Sequence, residues 1–382
     1  MRYDYFTDEH QMFRDQIRKF VTEELAPHAD EWEEKGLFDR WVFERMGKLG
    51  FFGANFPEED GGAGGDYWYA VVRGEELVKC NSAGTTLGLL VQSDMATPII
   101  SHVGTKEQKE EFLAPALRGE KIAALCVSEP GAGSDVANIQ THAKKDGDDF
   151  IINGSKLYIT NGTRCDFLTM AVRTNVEVPG YAGISFLTVP MDLPGISIGK
   201  NLKKVGNKAS DTALLYFEDV RVPRRYLLGE ENHGFLHVMT NFQGERLMGA
   251  VSAVSGAQHI LDETIRYCKE RSAFGRPISG FQVTRHKLAD LQTNIDVARA
   301  FCYKVVESFA RGEDVTREVS MAKLFAGEMA VKNVDECMQL HGGAGYIEEY
   351  LVARAWRDTR LVTIGGGTSQ IMKEIISKMM NL

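Results

Sequence analysis

The sequence predicts an α+β fold: an N-terminal helical domain, a middle antiparallel β-barrel-like domain and a C-terminal helical bundle. Three observations predict it. Apolar residues recur at spacings of three and four up to about residue 120. Between about 121 and 235 the period falls toward two, and from about 236 the helical spacing returns and lasts to the end. The expected domains are therefore 1–120, 121–235 and 236–382, in keeping with roughly two to three domains for a chain of this length.

In the first block Thr7 can cap a helix whose first turn carries Asp8 and Glu9, both favourable at the positive end of the helix dipole. Phe13, Ile17, Phe20, Val21 and Leu25 then form one apolar face. Pro27 and Gly36 punctuate the block, and Gly61 to Gly65 reads as a flexible loop. In the second block the short runs Phe150–Ile152, Lys156–Thr160 and Leu214–Phe217 read as strands, with Asn153-Gly154 and Asn161-Gly162 as tight-turn signals. In the third, Leu247, Ala250, Val251, Val254, Leu261 and Ile265 lie on one stripe of a long helix. Further helices are expected over 282–311, 316–337 and 369–380, with no internal repeat and no low-complexity linker.

Composition narrows the function classes. Of 382 residues, 43% are hydrophobic and 25% charged, enough apolar surface to repay the ordering of a globular chain. The net charge of −9 argues against a nucleic-acid partner, since that affinity comes largely from Lys and Arg neutralising phosphates. Six cysteines, at 80, 126, 165, 268, 302 and 337, form no CxxC pair and read as buried thiols of a reducing compartment. No metal-ligand spacing appears among the nine histidines. Met1 to Phe6 lacks an apolar leader, and no uncharged run is long enough for membrane insertion. Bacterial cytoplasm is the expected location, and a processed form in a mitochondrial matrix would look alike.

Five segments could carry chemistry. Ser128-Glu129-Pro130-Gly131-Ala132-Gly133-Ser134-Asp135 follows the apolar run Ala123 to Val127, and its glycines would let backbone approach a ligand. A Rossmann fingerprint does not fit, because the third glycine and the following helix are absent, whereas a plain structural turn remains open. Tyr158-Ile159-Thr160-Asn161-Gly162 offers an aromatic face two residues from a hydroxyl, although such an aromatic is more often core. Arg271, with Phe274 and Gln282 beyond it, could grip a pyrophosphate, or could be an ordinary solvated arginine at a helix end. Gln339 to Tyr346 and Gly365 to Gln370 hold glycine clusters that expose backbone N–H groups where helices begin or break.

In this order and spacing the segments resemble those of the acyl-CoA dehydrogenase family, over essentially the whole chain. The resemblance implies an FAD-dependent α,β-dehydrogenation of an acyl-CoA thioester to the trans-2-enoyl-CoA, in fatty-acid β-oxidation. It also implies electron transfer to an electron-transferring flavoprotein and a homotetramer with one FAD per subunit. By position, Leu125, Cys126, Val127, Ser128, Gly133, Ser134, Tyr158, Ile159 and Thr160 would contact the flavin ring and ribityl chain. Arg271, Phe274, Gln282, Gln339, Gly342 and Gly343 would hold the ADP portion, partly across a subunit interface, and Thr368 and Gln370 would complete the site. Ser134, Gln243, Arg246 and Gly366 would line the acyl-CoA channel.

One departure decides the mechanism. Many members carry the catalytic glutamate at the position of Gly366, which has no side chain. The long-chain and isovaleryl-type branches resemble this chain more closely and place the base on the long helix after the β-domain, which matches Glu245 in Phe242-Gln243-Gly244-Glu245-Arg246-Leu247. The α-proton is only weakly acidic, so a placed carboxylate must take it while the thioester oxygen is stabilised as an oxyanion. The resemblance gives that oxyanion a ribityl hydroxyl and the amide of Gly366, which survives loss of the side chain. Taken alone, Glu245 reads as a helix charge or an ion pair with Arg246. An oxidase on the same scaffold, or a non-catalytic acyl-CoA- or flavin-binding relative, are the alternative readings.

Overall fold

A computed structural model describes residues 5–178 and 180–382. Met1 to Asp4, part of the stretch read for an apolar leader, lie outside the described residues. The first third is helical: α1 (Asp8–Phe20), α2 (Ala29–Lys35), α3 (Trp41–Lys48), α4 (Tyr67–Leu77), α5 (Ala83–Leu90), α6 (Pro98–Val103), α7 (Lys106–Gln108) and α8 (Ala114–Leu117). Thr7 caps α1 as expected: its Oγ1 accepts from the His10 amide while its own N–H donates to His10 Nδ1. Ile17, Phe20, Val21 and Leu25 are buried, the last two in a π-helical turn, Val21–Leu25, that precedes Pro27.

The glycine run 61–65 is not the free loop expected. Four successive amides, of Gly62, Ala63, Gly64 and Gly65, donate to the carbonyls of Pro57, Gly53, Phe56 and Ala54. A Cβ on Gly62 would fall 2.2 Å from the Phe56 oxygen, so close backbone contact, not freedom, requires the glycine here.

The central sheet runs β6–β7–β3–β2–β4–β5–β8, with β1 joined to β4. Its strands are β1 (Ala123–Cys126), β2 (His142–Asp146), β3 (Asp149–Thr160), β4 (Phe167–Arg173), β5 (Ile184–Pro190), β6 (Ile196–Asn201), β7 (Thr212–Pro223) and β8 (Leu227–Leu228). The long pairings are antiparallel, whereas β1 lies parallel to β4. Asn153-Gly154 does not turn the chain. It is a bulge inside β3, and the two runs read as separate strands are one strand of 12 residues. A second register shift, at Tyr158 with φ +64°, breaks the two-residue alternation that would have put Tyr158 and Thr160 on one face.

The last third holds α9 (Gly234–Glu270), α10 (Gln282–Ala310), α11 (Thr316–His341), α12 (Leu351–Thr359) and α13 (Ser369–Met379). Helix α11 continues one turn past the expected end, to His341. Helix α12, whose nine residues are too short for a clear period, went unread. Two apolar cores result, one under the N-terminal helices and sheet, one inside the C-terminal helices. Helix α4 serves both: Ala70 and Leu77 face the first, Trp68 and Val71 the second. The seam between α4 and α9 is where the site lies. All six cysteines are unpaired and buried. Among the described residues no helix is long and apolar enough to cross a membrane, and no cluster could hold a metal ion.

Candidate active site

Glu245 projects from α9 toward the glycine turn before α13. It makes no ion pair with Arg246, and among the described residues its Oε2 is buried without a hydrogen-bond partner. An unsatisfied buried carboxylate oxygen is costly, which makes it a functional candidate. Burial pushes the carboxyl up to about 7, against the opposing pull of Arg246 and Lys323. The other oxygen, Oε1, faces Gly366, where an added Cβ would stand 3.2 Å away. A side chain at 366 and the carboxylate of Glu245 therefore compete for one space.

The turn holding Gly366 is built from a glycine triplet before α13, with φ +63° at Gly366 and +103° at Gly367. Arg246 Nε donates to the Gly366 carbonyl at 3.1 Å, and Lys323 of α11 donates to the Gly367 carbonyl. The guanidinium of Arg246 also lies over the Phe242 ring, 5.4 Å from its centroid. Thr368 caps α13, its Oγ1 accepting from the Ile371 amide. Gln243 ties α9 to the start of α11, its Nε2 donating to Thr316 Oγ1 at 2.8 Å. The Tyr67 hydroxyl of α4 donates to the Gly244 carbonyl at 3.4 Å. One turn before Glu245, a cavity of about 160 Å³ is lined by Ile99, His102, Val103, Leu236, His237, Thr240 and Asn241. Among the described residues the Asn241 Oδ1 is buried there without a partner.

The loop 128–135 is a built structure. Glu129 is buried and accepts from the amides of Gln140 (2.6 Å) and Thr141 (3.0 Å) and from Lys156 Nζ (2.8 Å). Lys156, fully buried on β3, donates also to the Val127 carbonyl, and the Leu157 amide donates to that of Ser128. Hung on this pair, Gly131, Gly133 and Ser134 are exposed, with open space where a Cβ would stand on either glycine. Leu125 and Ser128 are half-buried, while the side chains of Cys126 and Val127 are buried, so only their backbone can meet a ligand. Tyr158 is pushed outward by its bulge and is 65% exposed; Ile159 is buried and Thr160 half-buried.

The remaining predicted residues gather at the other end of the helices. Arg271 is the C-cap of α9, 26 residues after Glu245 and so roughly 39 Å along the axis. Tyr267 stacks on His341 at 4.2 Å, which brings the Gln339–Gly343 segment beside it. Phe274 is 96% exposed with φ +51°; Arg271, Gln282, Gln339, Gly342 and Gly343 are exposed. The structure thus brings Glu245, Arg246, Gly366 and Thr368 together, and holds the Arg271 group apart from them. Missed by sequence reading were Lys323, Tyr67 and the Glu129–Lys156 pair. The signal for Lys323 was a lysine among Val319, Ala322, Ala326 and Ala330 on an interior stripe.

The structure thus holds an orphaned carboxyl beside a side-chain-free turn and, on the sheet, a loop of open glycines. Comparison with known proteins gives the class. The N-terminal, middle and C-terminal domain families of acyl-CoA dehydrogenases match residues 7–120, 124–220 and 232–381. The chain is 43% identical over 374 residues to the mitochondrial long-chain specific acyl-CoA dehydrogenase of Mus musculus, covering 98% of this chain and 86% of that one. It is 37% identical to a caffeyl-CoA reductase–Etf complex subunit of Acetobacterium woodii, covering 98% and 99%. A crystal structure of an acyl-CoA dehydrogenase from Geobacillus kaustophilus superposes with a TM-score of 0.97 at 43% identity, covering all of both chains. The chain belongs to the acyl-CoA dehydrogenase family. It is an oxidoreductase, and the family's cofactor is FAD. The exposed glycines of the 128–135 loop and the outward Tyr158 ring fit such a planar group.

Proposed function

We propose that the chain desaturates a long- or branched-chain acyl-CoA thioester, with Glu245 as the base that removes the α-proton. The observation that carries this is the buried, unpartnered Oε2 of Glu245 beside Gly366. When bound, FAD supplies the acceptor for the β-hydrogen and its two electrons. Glu245 takes the proton, and desolvation makes it a stronger base than a free carboxylate. The backbone amide of Gly366 donates to the thioester oxygen as charge develops there. Ser134 and the cavity beside Asn241 accommodate the thioester arm, and Gly365 and Gly366 add no bulk to the wall facing the acyl chain.

Leu125 to Ser134, Tyr158 to Thr160, Thr368 and Gln370 hold the flavin half. Arg271 stands at the far end of α9 from Glu245, roughly 39 Å along its axis. Arg271, Phe274, Gln282, Gln339, Gly342 and Gly343 serve the ADP half of the cofactor, partly across a subunit interface, within a homotetramer. Electrons leave to an electron-transferring flavoprotein, in keeping with the Etf complex named for the Acetobacterium relative.

The test is anaerobic addition of acyl-CoA esters of graded length to the FAD-loaded enzyme. Bleaching of the flavin absorbance is expected, fastest with long or branched chains, and no bleaching by any ester refutes the reading. Reduction kcat/KM should rise with pH along an acid limb near pH 7, because Glu245 acts only when ionised and burial holds it at about 7.

A further inference from the structure

The glycine turn beside the base is fixed by two cations from different helices. Arg246, on α9, holds the Gly366 carbonyl, and Lys323, on α11, holds the next carbonyl, that of Gly367. With both carbonyls directed into the interior, the peptide planes on either side of Gly367 are fixed, in a stretch where φ of +63° and +103° would leave glycine backbone free to rearrange. A lysine is an expensive way to hold one carbonyl. Lys323 is buried, and burial together with the charge of Arg246 pushes its ammonium down to about 8, against the pull of Glu245. Lys323 makes no carboxylate ion pair within reach among the described residues, unlike the buried Arg73–Asp94 and Lys156–Glu129 pairs. The carboxyl that opposes the downward push is that of Glu245, whose Oε1 faces Gly366.

We propose that Lys323 is a positioning residue of the dehydrogenation site, holding the Gly366–Gly367 turn in place and favouring the carboxylate form of Glu245. The inference rests on the reading of Glu245 as the base. The groups around that carboxyl are Arg246 on its own helix, Lys323 from α11, the Tyr67 hydroxyl at the Gly244 carbonyl from α4, and only backbone from the glycine turn. Arg246 is committed to the Gly366 carbonyl and to the Phe242 ring, so Lys323 is the cation whose charge can be removed while that anchor stays.

The experiment compares wild type with Lys323→Arg, Lys323→Gln and Lys323→Met, each as FAD-loaded enzyme, by anaerobic flavin reduction with palmitoyl-CoA from pH 5.5 to 9. Gln keeps a donor for the Gly367 carbonyl but no charge, and Met keeps neither. Removing a nearby cation should raise the acid limb by about one pH unit in both neutral variants, a roughly tenfold loss of rate on its acid side. Met should lose rate at high pH as well, Gln should largely recover there, and Arg should restore the wild-type limb. An acid limb unmoved in Gln and Met overturns the proposal. So does failure of both neutral variants to accumulate with FAD when Glu245→Gln does, which would make Lys323 a residue of the fold alone. Wild-type enzyme that binds FAD yet is bleached by no acyl-CoA would instead remove the reading of Glu245 beneath it, whatever the variants do.

Discussion

The two ends of α9 are built in opposite ways. At Glu245 every charged neighbour is interior and interlocked: Arg246 and Lys323 hold consecutive carbonyls, and Tyr67 closes the α4 side. At Arg271 the side chains face outward, and a phenylalanine, Phe274, is 96% exposed at a backbone angle unusual for a residue with a side chain. A large apolar ring left in water beside open glycines suits a surface that another body covers. On the function proposed above, the difference teaches that proton chemistry would be organised within one chain, where a carboxyl can be desolvated, while the grip on the cofactor's far end would be left to assembly. Breaking the first end should stop turnover with the cofactor in place. Breaking the second should loosen the cofactor with the chemistry intact.

The largest effect is expected at the base. Glu245→Gln keeps the shape of the side chain and removes its proton-accepting charge, so FAD and acyl-CoA binding should persist while flavin reduction falls roughly 10²–10⁴-fold, the scale of a lost general base. Rapid-mixing absorbance under anaerobic conditions measures it. Near-normal reduction would place the base elsewhere and erase the contrast between the two ends.

Next in size is the pair beneath the glycine loop. Lys156→Met leaves Glu129 buried with two amide donors but no counter-charge, a loss on the order of 3–5 kcal/mol for one broken partner of a buried pair. The loop 128–135 should then lose its seat, and the purified protein should carry well under the wild-type share of FAD by its visible absorbance. Restoring an apolar pair with Glu129→Leu in the same chain should recover thermal stability better than FAD content. Equal recovery of both would make the ion pair a packing device only.

How much of this was legible in the sequence varies with the physics. The helix–sheet–helix order was readable because periods of 3.6 and 2 record which faces are buried, and Thr7 was readable because capping is a local exchange of hydrogen bonds. Glu245 was readable only through the glycine at 366, since a lone Glu-Arg step says nothing of burial. The strand geometry was not readable. Asn153-Gly154 has the chemistry of a tight turn, yet Gly154 meets Thr141 at 2.6 Å from its would-be Cβ, so tertiary packing turned the signal into a bulge. The run 61–65 misled for the same reason, its glycines answering close carbonyls that belong to residues 53–57. Lys323 and Glu129–Lys156 join elements far apart in sequence, and no local pattern records such a meeting.

At the nucleotide end the expected effect is smaller and of another kind. Arg271 makes no ion pair of its own among the described residues, so Arg271→Ala should leave folding untouched. Loss of charge-assisted hydrogen bonds to a phosphate, about 1.5–3 kcal/mol, should weaken FAD binding by roughly ten- to a hundredfold. The acid limb of reduction, measured at saturating FAD, should stay at about pH 7, since the site of Glu245 is undisturbed. Fluorescence titration of the apoprotein with FAD gives the affinity. A variant that shifts the limb but binds FAD normally would show that the two ends are coupled through α9.

The smallest effect separates space from conformation at Gly366 itself. Gly366→Ala places a methyl 3.2 Å from Glu245 Oε1 at a backbone angle of +63°, which costs an L-residue about 1–2 kcal/mol and presses on the base. Gly365→Ala meets only ordinary contacts, the nearest 3.6 Å away on Leu361, and has no positive φ to pay for. If the carboxylate of Glu245 owns the space beside Gly366, the first variant should reduce its flavin roughly five- to tenfold more slowly, at unchanged FAD content, and the second should lose clearly less. The adjacent glycine thus controls for any general loosening of the turn. Indistinguishable rates in the two variants would mean that the gap beside Gly366 is slack, and that its lack of a side chain has no bearing on where the base stands.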